Sequence, residues 1–387
     1  MSNELFHFER GSVCLPHDVS ALIQEWDQLR GKMIRSMPEA FSRDEWAYLI
    51  TFLEEDHLWS VFEDAFGTRQ DDSEFTHSAL YYPRGTVSVW LPNNVSLLGP
   101  LVMILLSLSG NKLRLKAGSR SEDLCGALLD FVEAAGPGEH LARFIAEDIE
   151  RGVFDQHDPR NVAMAAESEV RIVFGGDEAA AGIDQLPHPT HSLAFPFTDK
   201  KSQAWIEPEA VTDEVLDALI KVFLVYGQAG CTSPSRVVLL DADEDAMQSF
   251  KSRLIDRWPQ VVKVSTEPHV ASANVMARQW AAGVGWQAEL APNAAAVVGC
   301  GNAPQIDAPL FLPVSAISTK AALESLPENI QTIGYAFSAK PPACLLGGLA
   351  QRNVKRLVPI AQMHHFSGVW DGYAFWEQLF ERMEVQT

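Results

Sequence analysis

TVSVWLPNNVSLLGPLVMILLSLSGNKLRLK, residues 86–116, decides the fold class. It opens on a short apolar strand, TVSVWL (86–91), and closes on another, KLRLK (112–116). Between them lies the most apolar run of the chain, VSLLGPLVMILLSLSG (95–110). Gly99 and Pro100 interrupt that run, and it is shorter than the roughly 20 residues a membrane span requires. It therefore reads as a buried helix. The alternation continues outward: strands VRIVF (170–174) and RVVLL (236–240), with helical patterns over 120–134 and 212–228. Strands alternating with helices point to parallel strands joined by crossover helices, an α/β architecture.

Upstream, residues 1–80 look mainly helical and polar, with helix candidates at about 18–36 and 43–66. Residues 54–74 hold eight carboxylates against a single Arg69. Such a run is a solvated face or loop and receives no role. Downstream, TDEVLDALIKVFLVYGQ (212–228) is the clearest helix. Thr212 can cap it, and Asp213 and Glu214 stand where carboxylates meet the positive dipole end. Val215, Leu216, Leu219, Ile220 and Phe223 form one apolar face. The pattern stops near Gly227 and Gly230, so Cys231 falls just past a helix end, in a loop leading to the strand at 236–240.

The 387 residues, at roughly 150 per domain, suggest two or three domains. A hydrophobic content of 47% leaves enough for a large core. Thirty basic against fifty-one acidic residues give a net charge of −21, which argues against a nucleic-acid or anionic-lipid partner, since both call for basic surfaces. Five scattered cysteines, Cys14, Cys125, Cys231, Cys300 and Cys344, show no C-x-x-C spacing. That pattern suits reduced thiols in a cytoplasmic protein and implies no metal site. The opening MSNELFHFERG has no signal-peptide pattern, and no membrane span is expected.

Several standard chemical signals are absent, among them G-x-x-x-x-G-K-[ST], H-E-x-x-H and G-x-S-x-G. GVGWQA (283–288) fits a dinucleotide fingerprint in letters only, because it follows a helical pattern where a strand is needed. GCGNAP (299–304) follows an apolar strand but lacks the third small residue. His364 and His365 are adjacent and cannot share a helical metal face; they read as a polar surface pair.

YGQAGCTSPSRVVLL (226–240) carries the chemistry. An isolated cysteine is ordinarily a small hydrophobe. Here the G-Q-x-x-C-T-S-P string resembles the nucleophile loop of the aldehyde dehydrogenase superfamily, and most closely that of the LuxC-type acyl-CoA reductases. Other segments follow in the order such a family requires. LPNNVSLLGP (91–100) resembles the turn whose Asn amide faces the reacting carbonyl, which places Asn94 there. SGNKLRLKAGSRS (109–121) resembles the strand ending in the Lys that approaches the cofactor ribose, here Lys116. VRIVFGGDEA (170–179) resembles the strand and small-residue turn against the dinucleotide, with Gly175 and Gly176 at the turn. RNVKRLVPIAQM (352–363) and GVWDG (368–372) resemble the family's closing segment. The resemblance runs from about residue 80 to the end.

The resemblance implies an aldehyde-dehydrogenase-like fold with a Rossmann-type cofactor domain and an α/β catalytic domain. The expected layout is an N-terminal helical region (1–80) packed on the cofactor domain, a cofactor-binding domain (81–226) completed by 352–387, and a catalytic domain (227–351). The activity implied is NADPH-dependent reduction of an acyl thioester to an aldehyde through an acyl-enzyme on Cys231, with NADH as the other possible donor. The substrate would be an acyl-CoA or an acyl group on a carrier protein, and a homo-oligomer is expected. Two departures accompany this. HSLAFPFTDKKSQAWIEP (191–208) lacks the Glu that activates water in oxidising members, which fits thioester exchange in place of hydrolysis. APLFLPVS (308–315) lacks the acid that holds the nicotinamide ribose. The alternatives are an acyl-phosphate reductase of the same superfamily and a non-catalytic relative that binds an acyl carrier.

Overall fold

The structure, a computed structural model, describes residues 4–70, 79–120, 122–263, 266–302, 306, 308–365 and 368–385. Residues 71–74 of the acidic stretch, Ser121 of the 109–121 segment and residues 303–304 of GCGNAP lie outside the described residues. The chain forms two compact units, one of residues 1–199 with 366–387 and the other of residues 200–365.

In the first unit the deciding stretch folds as read. Strand Thr86–Trp90 pairs in parallel with Lys112–Ala117 and with Val170–Gly175. Ile149–Val153 and Leu193–Thr198 complete a five-stranded parallel sheet. Helix Leu98–Ser107 buries Gly99 through Ser107, as its lack of any polar face requires. A second five-stranded sheet joins the two ends of the chain. In it Phe380–Glu384 runs antiparallel to Ala79–Pro83, which neighbours Gly11–Leu15 and then Glu4–Phe8. An aromatic cluster binds this sheet to helix Glu55–Phe66: Phe8 stacks on Phe62 at 6.0 Å, and Trp376 meets Phe62 edge-on at 5.2 Å.

The region before residue 80 is therefore less helical than its sequence suggests. Glu4–Phe8 and Gly11–Leu15 form a hairpin; Gly11–Leu15 pairs onward with 79–83 and 79–83 with 380–384, partners too distant for local periodicity to reveal. The single helix expected over 43–66 is two, Arg43–Phe52 and Glu55–Phe66. Ser42 and Glu45 form a capping box that starts the first of them. Glu54, Glu55, Asp56, Glu63 and Asp64 are exposed, the solvated face expected of them.

The second unit is built on a seven-stranded sheet in the order Gln287–Leu290, Val297–Cys300, Phe311–Ile317, Pro234–Leu240, Lys201–Ile206, Ile330–Ala336, Arg356–Pro359. Only the edge pair Gln287–Leu290 and Val297–Cys300 is antiparallel. Both faces are covered, so the central strand Pro234–Leu240 is apolar on both sides. Val237 and Leu239 pack with Leu216, Leu219, Ile220 and Phe223 of helix Asp213–Leu224. Val238 and Leu240 face Leu345 and Leu349 on the other side.

The compact units divide the chain at other points than the domains expected from sequence. The break falls at 199/200, not 226/227, because Lys201–Ile206 lies between two strands of the second sheet and helix Asp213–Leu224 packs on that sheet. The return falls at 365/366, not 351/352, because Arg356–Pro359 pairs with Ile330–Ala336. The helix before Cys231 thus belongs to the same unit as Cys231.

Candidate active site

In the second unit, Val215 N–H donates to Thr212 Oγ1 at 3.3 Å and starts helix Asp213–Leu224. The helix unwinds through successive turns: Gly227 N–H donates to Leu224 O, Ala229 N–H to Tyr226 O and Ser233 N–H to Gly230 O. Gly227 (φ +54°) and Gln228 (φ +65°) are both left-handed. Glycine adopts that conformation without penalty; Gln228 is held in it by its side chain, whose Nε2 donates to Phe311 O at 2.9 Å.

Cys231 follows, partly exposed, with Thr232 and Ser233 buried behind it. Two side chains pin this loop from elsewhere in the unit. Ser202 Oγ, from the neighbouring strand, donates to Cys231 O at 2.6 Å. Thr232 Oγ1 lies 2.6 Å from His364 Nδ1, and His364 Nε2 lies 2.7 Å from Val222 O. A carbonyl can only accept, so Nε2 carries the proton and Nδ1 accepts from the Thr232 hydroxyl. The Tyr226 ring meets the imidazole edge-on at 4.7 Å. Burial lowers the His364 pKa to about 4, with the Val222 hydrogen bond opposing and Arg356 assisting. The expected surface pair is thus split: His364 is buried and His365 is exposed. Adjacent letters carry no record of a partner 132 positions away.

The other cysteines differ in setting. Cys125 and Cys300 are buried; desolvation raises the first thiol far above its ordinary range and pushes the second up to about 12. Both are inert packing thiols at neutral pH. Among the described residues no disulfide forms, and no group of three His, Cys, Asp or Glu could hold a metal ion.

The first unit gathers the remaining candidates at the carboxyl ends of adjacent strands, where open α/β sheets bind ligands. Asn94 is exposed in the turn between Thr86–Trp90 and Leu98–Ser107. Its neighbour Asn93 accepts from Arg120 N–H at 2.9 Å, tying that turn to the one after the next strand. Leu91, Pro92, Val95, Ala117, Gly118 and Cys125 line a small recess there. Lys116 is the penultimate residue of its strand, with its ammonium 5.5 Å from the Phe154 ring centroid and 3.4 Å from Ala117 O. Desolvation lowers its pKa, opposed by Asp155.

Gly175 ends its strand and Gly176 is the N-cap of helix Asp177–Asp184. A Cβ on either would meet nothing nearer than 3.7 Å, so the backbone is open to close approach. The helix start itself is acidic. Asp177 N–H donates to Asp199 Oδ2 at 2.9 Å, Thr198 Oγ1 donates to Asp177 Oδ1 at 2.5 Å, and Glu178 stands beside them. Asp199 and His364 are the two residues sequence reasoning missed. The first lies in the strand connection TDKK (198–201), and its only signal was an acid in a tight turn.

Comparison with known proteins follows the same lines. The sequence matches the acyl-CoA reductase (LuxC) family over residues 19–382. No curated protein matches it. Among solved structures, an NAD-dependent aldehyde dehydrogenase from Sinorhizobium meliloti aligns at 13% identity, covering 95% of this chain and 82% of that one, with a TM-score of 0.64. A P. syringae indole-3-acetaldehyde dehydrogenase in complex with NAD+ and IAA aligns at 12% identity over 95% and 85%, with a TM-score of 0.62. A Thermus 1-pyrroline-5-carboxylate dehydrogenase with bound NAD aligns at 13% identity over 95% and 81%, also at 0.62. The fold is that of the aldehyde dehydrogenases, the architecture expected from sequence.

Proposed function

The chain belongs to the acyl-CoA reductase (LuxC) family, and from that premise we propose that it reduces an acyl thioester to an aldehyde through an acyl-enzyme on Cys231. The family and the fold support an oxidoreductase. The finer reading rests on the setting of Cys231: a partly exposed thiol on a loop held by hydrogen bonds at its own carbonyl and at the next residue.

The Cys231 thiolate attacks the thioester carbonyl, and the tetrahedral adduct expels the donor thiol. Thiol exchange is nearly isoenergetic, which suits a cysteine and not a serine. Asn94 takes the role of oxyanion donor in this reading, a role worth about 3–4 kcal/mol. No Glu stands in 191–206 to activate water, so the acyl-enzyme persists until it is reduced.

The first unit fits a nicotinamide dinucleotide on the side of strand Lys112–Ala117. Lys116 would reach the ribose hydroxyls, and the open backbone at Gly175 and Gly176 would admit the dinucleotide to the sheet edge. The acidic helix start at Asp177 does not fit a diphosphate, and no anion contact is assigned to it. When bound, the reduced nicotinamide supplies the hydride that turns the acyl-enzyme into aldehyde. NADPH is the donor this reading favours, with acyl-CoA or a carrier-bound acyl group as substrate. Among the described residues no helix is long and apolar enough to cross a membrane.

The test is NADPH consumption against acyl-CoAs of graded chain length, with NADH in parallel. Aldehyde formed in step with NADPH oxidation supports the reading. Turnover of acyl phosphates with none of any acyl-CoA would replace it.

A further inference from the structure

We infer that His364 is a positioning residue for Cys231: its ring joins the carbonyl of Val222 to the hydroxyl of Thr232 and so holds the nucleophile loop on the helix that precedes it. This rests on the reading of Cys231 as the nucleophile.

A histidine beside a reactive cysteine invites a proton-accepting role. The geometry gives it another. Nε2 donates to a carbonyl at 2.7 Å and Nδ1 accepts from Thr232 at 2.6 Å, so both nitrogens are committed. Thr232 is covalently next to Cys231 and is 4% exposed, so fixing its hydroxyl restricts the backbone from which the thiol projects. The ring is itself anchored from a third place. Arg356 donates through Nη1 to Met363 O at 3.2 Å and through Nη2 to His365 O at 2.9 Å, clamping the backbone on either side of His364. A nucleophile displaced by about 1 Å can lose about 10²-fold in rate. The bridge opposes such a displacement.

The experiment uses four single variants of the full chain, Thr232→Val, Thr232→Ser, His364→Gln and His364→Leu, and one double variant. Gln can still accept from Thr232 and donate to Val222, whereas Leu can do neither. Single-turnover acylation from a radiolabelled acyl-CoA and per-cysteine alkylation by iodoacetamide are both read by peptide mapping. NADPH affinity and thermal unfolding are measured alongside. T232V and H364L should each slow acylation about tenfold with NADPH affinity unchanged, the size expected for one disrupted buried hydrogen bond. T232S and H364Q should recover to within about threefold of wild type. The double variant T232V/H364L should be no slower than the worse single one, because both break one bridge.

Folded T232V that acylates at the wild-type rate, or losses that multiply in the double variant, would overturn the proposal. If wild-type Cys231 takes no acyl group, the functional reading fails, and the alkylation arm still decides the positioning role. The reactivity of Cys231 relative to Cys344 should then fall in T232V, and an unchanged ratio refutes the bridge.

Discussion

Thr232 Oγ1 and His364 Nδ1 meet at 2.6 Å across 132 positions of sequence, and the meeting is buried. The residue that follows the candidate nucleophile is thereby tied to the last residues of the second unit before the chain returns to the first.

That burial has a pH signature. His364 titrates at about 4 in the folded chain and at about 6.5 when unfolded. Between those values the unfolded state binds the proton and the folded state resists it, so stability is full above pH 6.5 and is lost as pH falls toward 4. The loss attributable to this group is on the order of 3 kcal/mol. His17 in the first unit is lowered to about 4 by burial as well and contributes in the same window. Denaturant unfolding from pH 7.5 to pH 4 should show the decline, and His364→Gln should flatten the part carried by the second unit. An unchanged slope in His364→Gln contradicts a buried neutral imidazole.

Lys116→Ala should raise the apparent KM for NADPH before it affects acylation of Cys231. Its ammonium is desolvated, which leaves it able to donate to ribose hydroxyls without holding a firm water shell. Steady-state kinetics with NADPH varied, beside acylation without NADPH, separate the two effects. Unchanged cofactor affinity with blocked acylation would reverse the assignment.

Asn94→Ala should lower turnover by about 10²-fold or more with little change in unfolding. The side chain is exposed, so its truncation leaves no cavity. A loss of less than about threefold would make Asn94 a turn residue and turn attention to Asn93, whose Oδ1 is already engaged by Arg120 N–H.

Gly176→Ala tests whether the turn is approached by the cofactor. The added methyl meets no atom nearer than 3.7 Å, so the protein should fold as the wild type does, at the small stability cost of alanine at a helix N-cap. Weaker NADPH binding would then come from the cofactor's side alone. Undiminished binding in isothermal titration would remove Gly176 from the cofactor site.

The apolar run at 95–110 and its flanking strands could be read without a structure, because a fully buried helix and the strands beside it leave a composition no surface element shares. The loop at 226–240 was legible for a different reason: helix cap, apolar face and terminal glycines are all local. What escaped was non-local. The second strand pairs with the segment near residue 80, which in turn pairs with the one near 380, and Lys201–Ile206 joins its sheet through strands from 234–240 and 330–336. Asp199 was hidden likewise, because its role depends on a helix start 22 positions earlier.

The nucleophile carries the rest, and labelled acyl-CoA tests it most directly. Wild-type chain incubated with it in the absence of NADPH should hold label on one peptide, that containing Cys231, and Cys231→Ser should hold none that NADPH can discharge as aldehyde. Label on Cys125, Cys300 or a serine, or undiminished turnover in Cys231→Ser, would contradict the account.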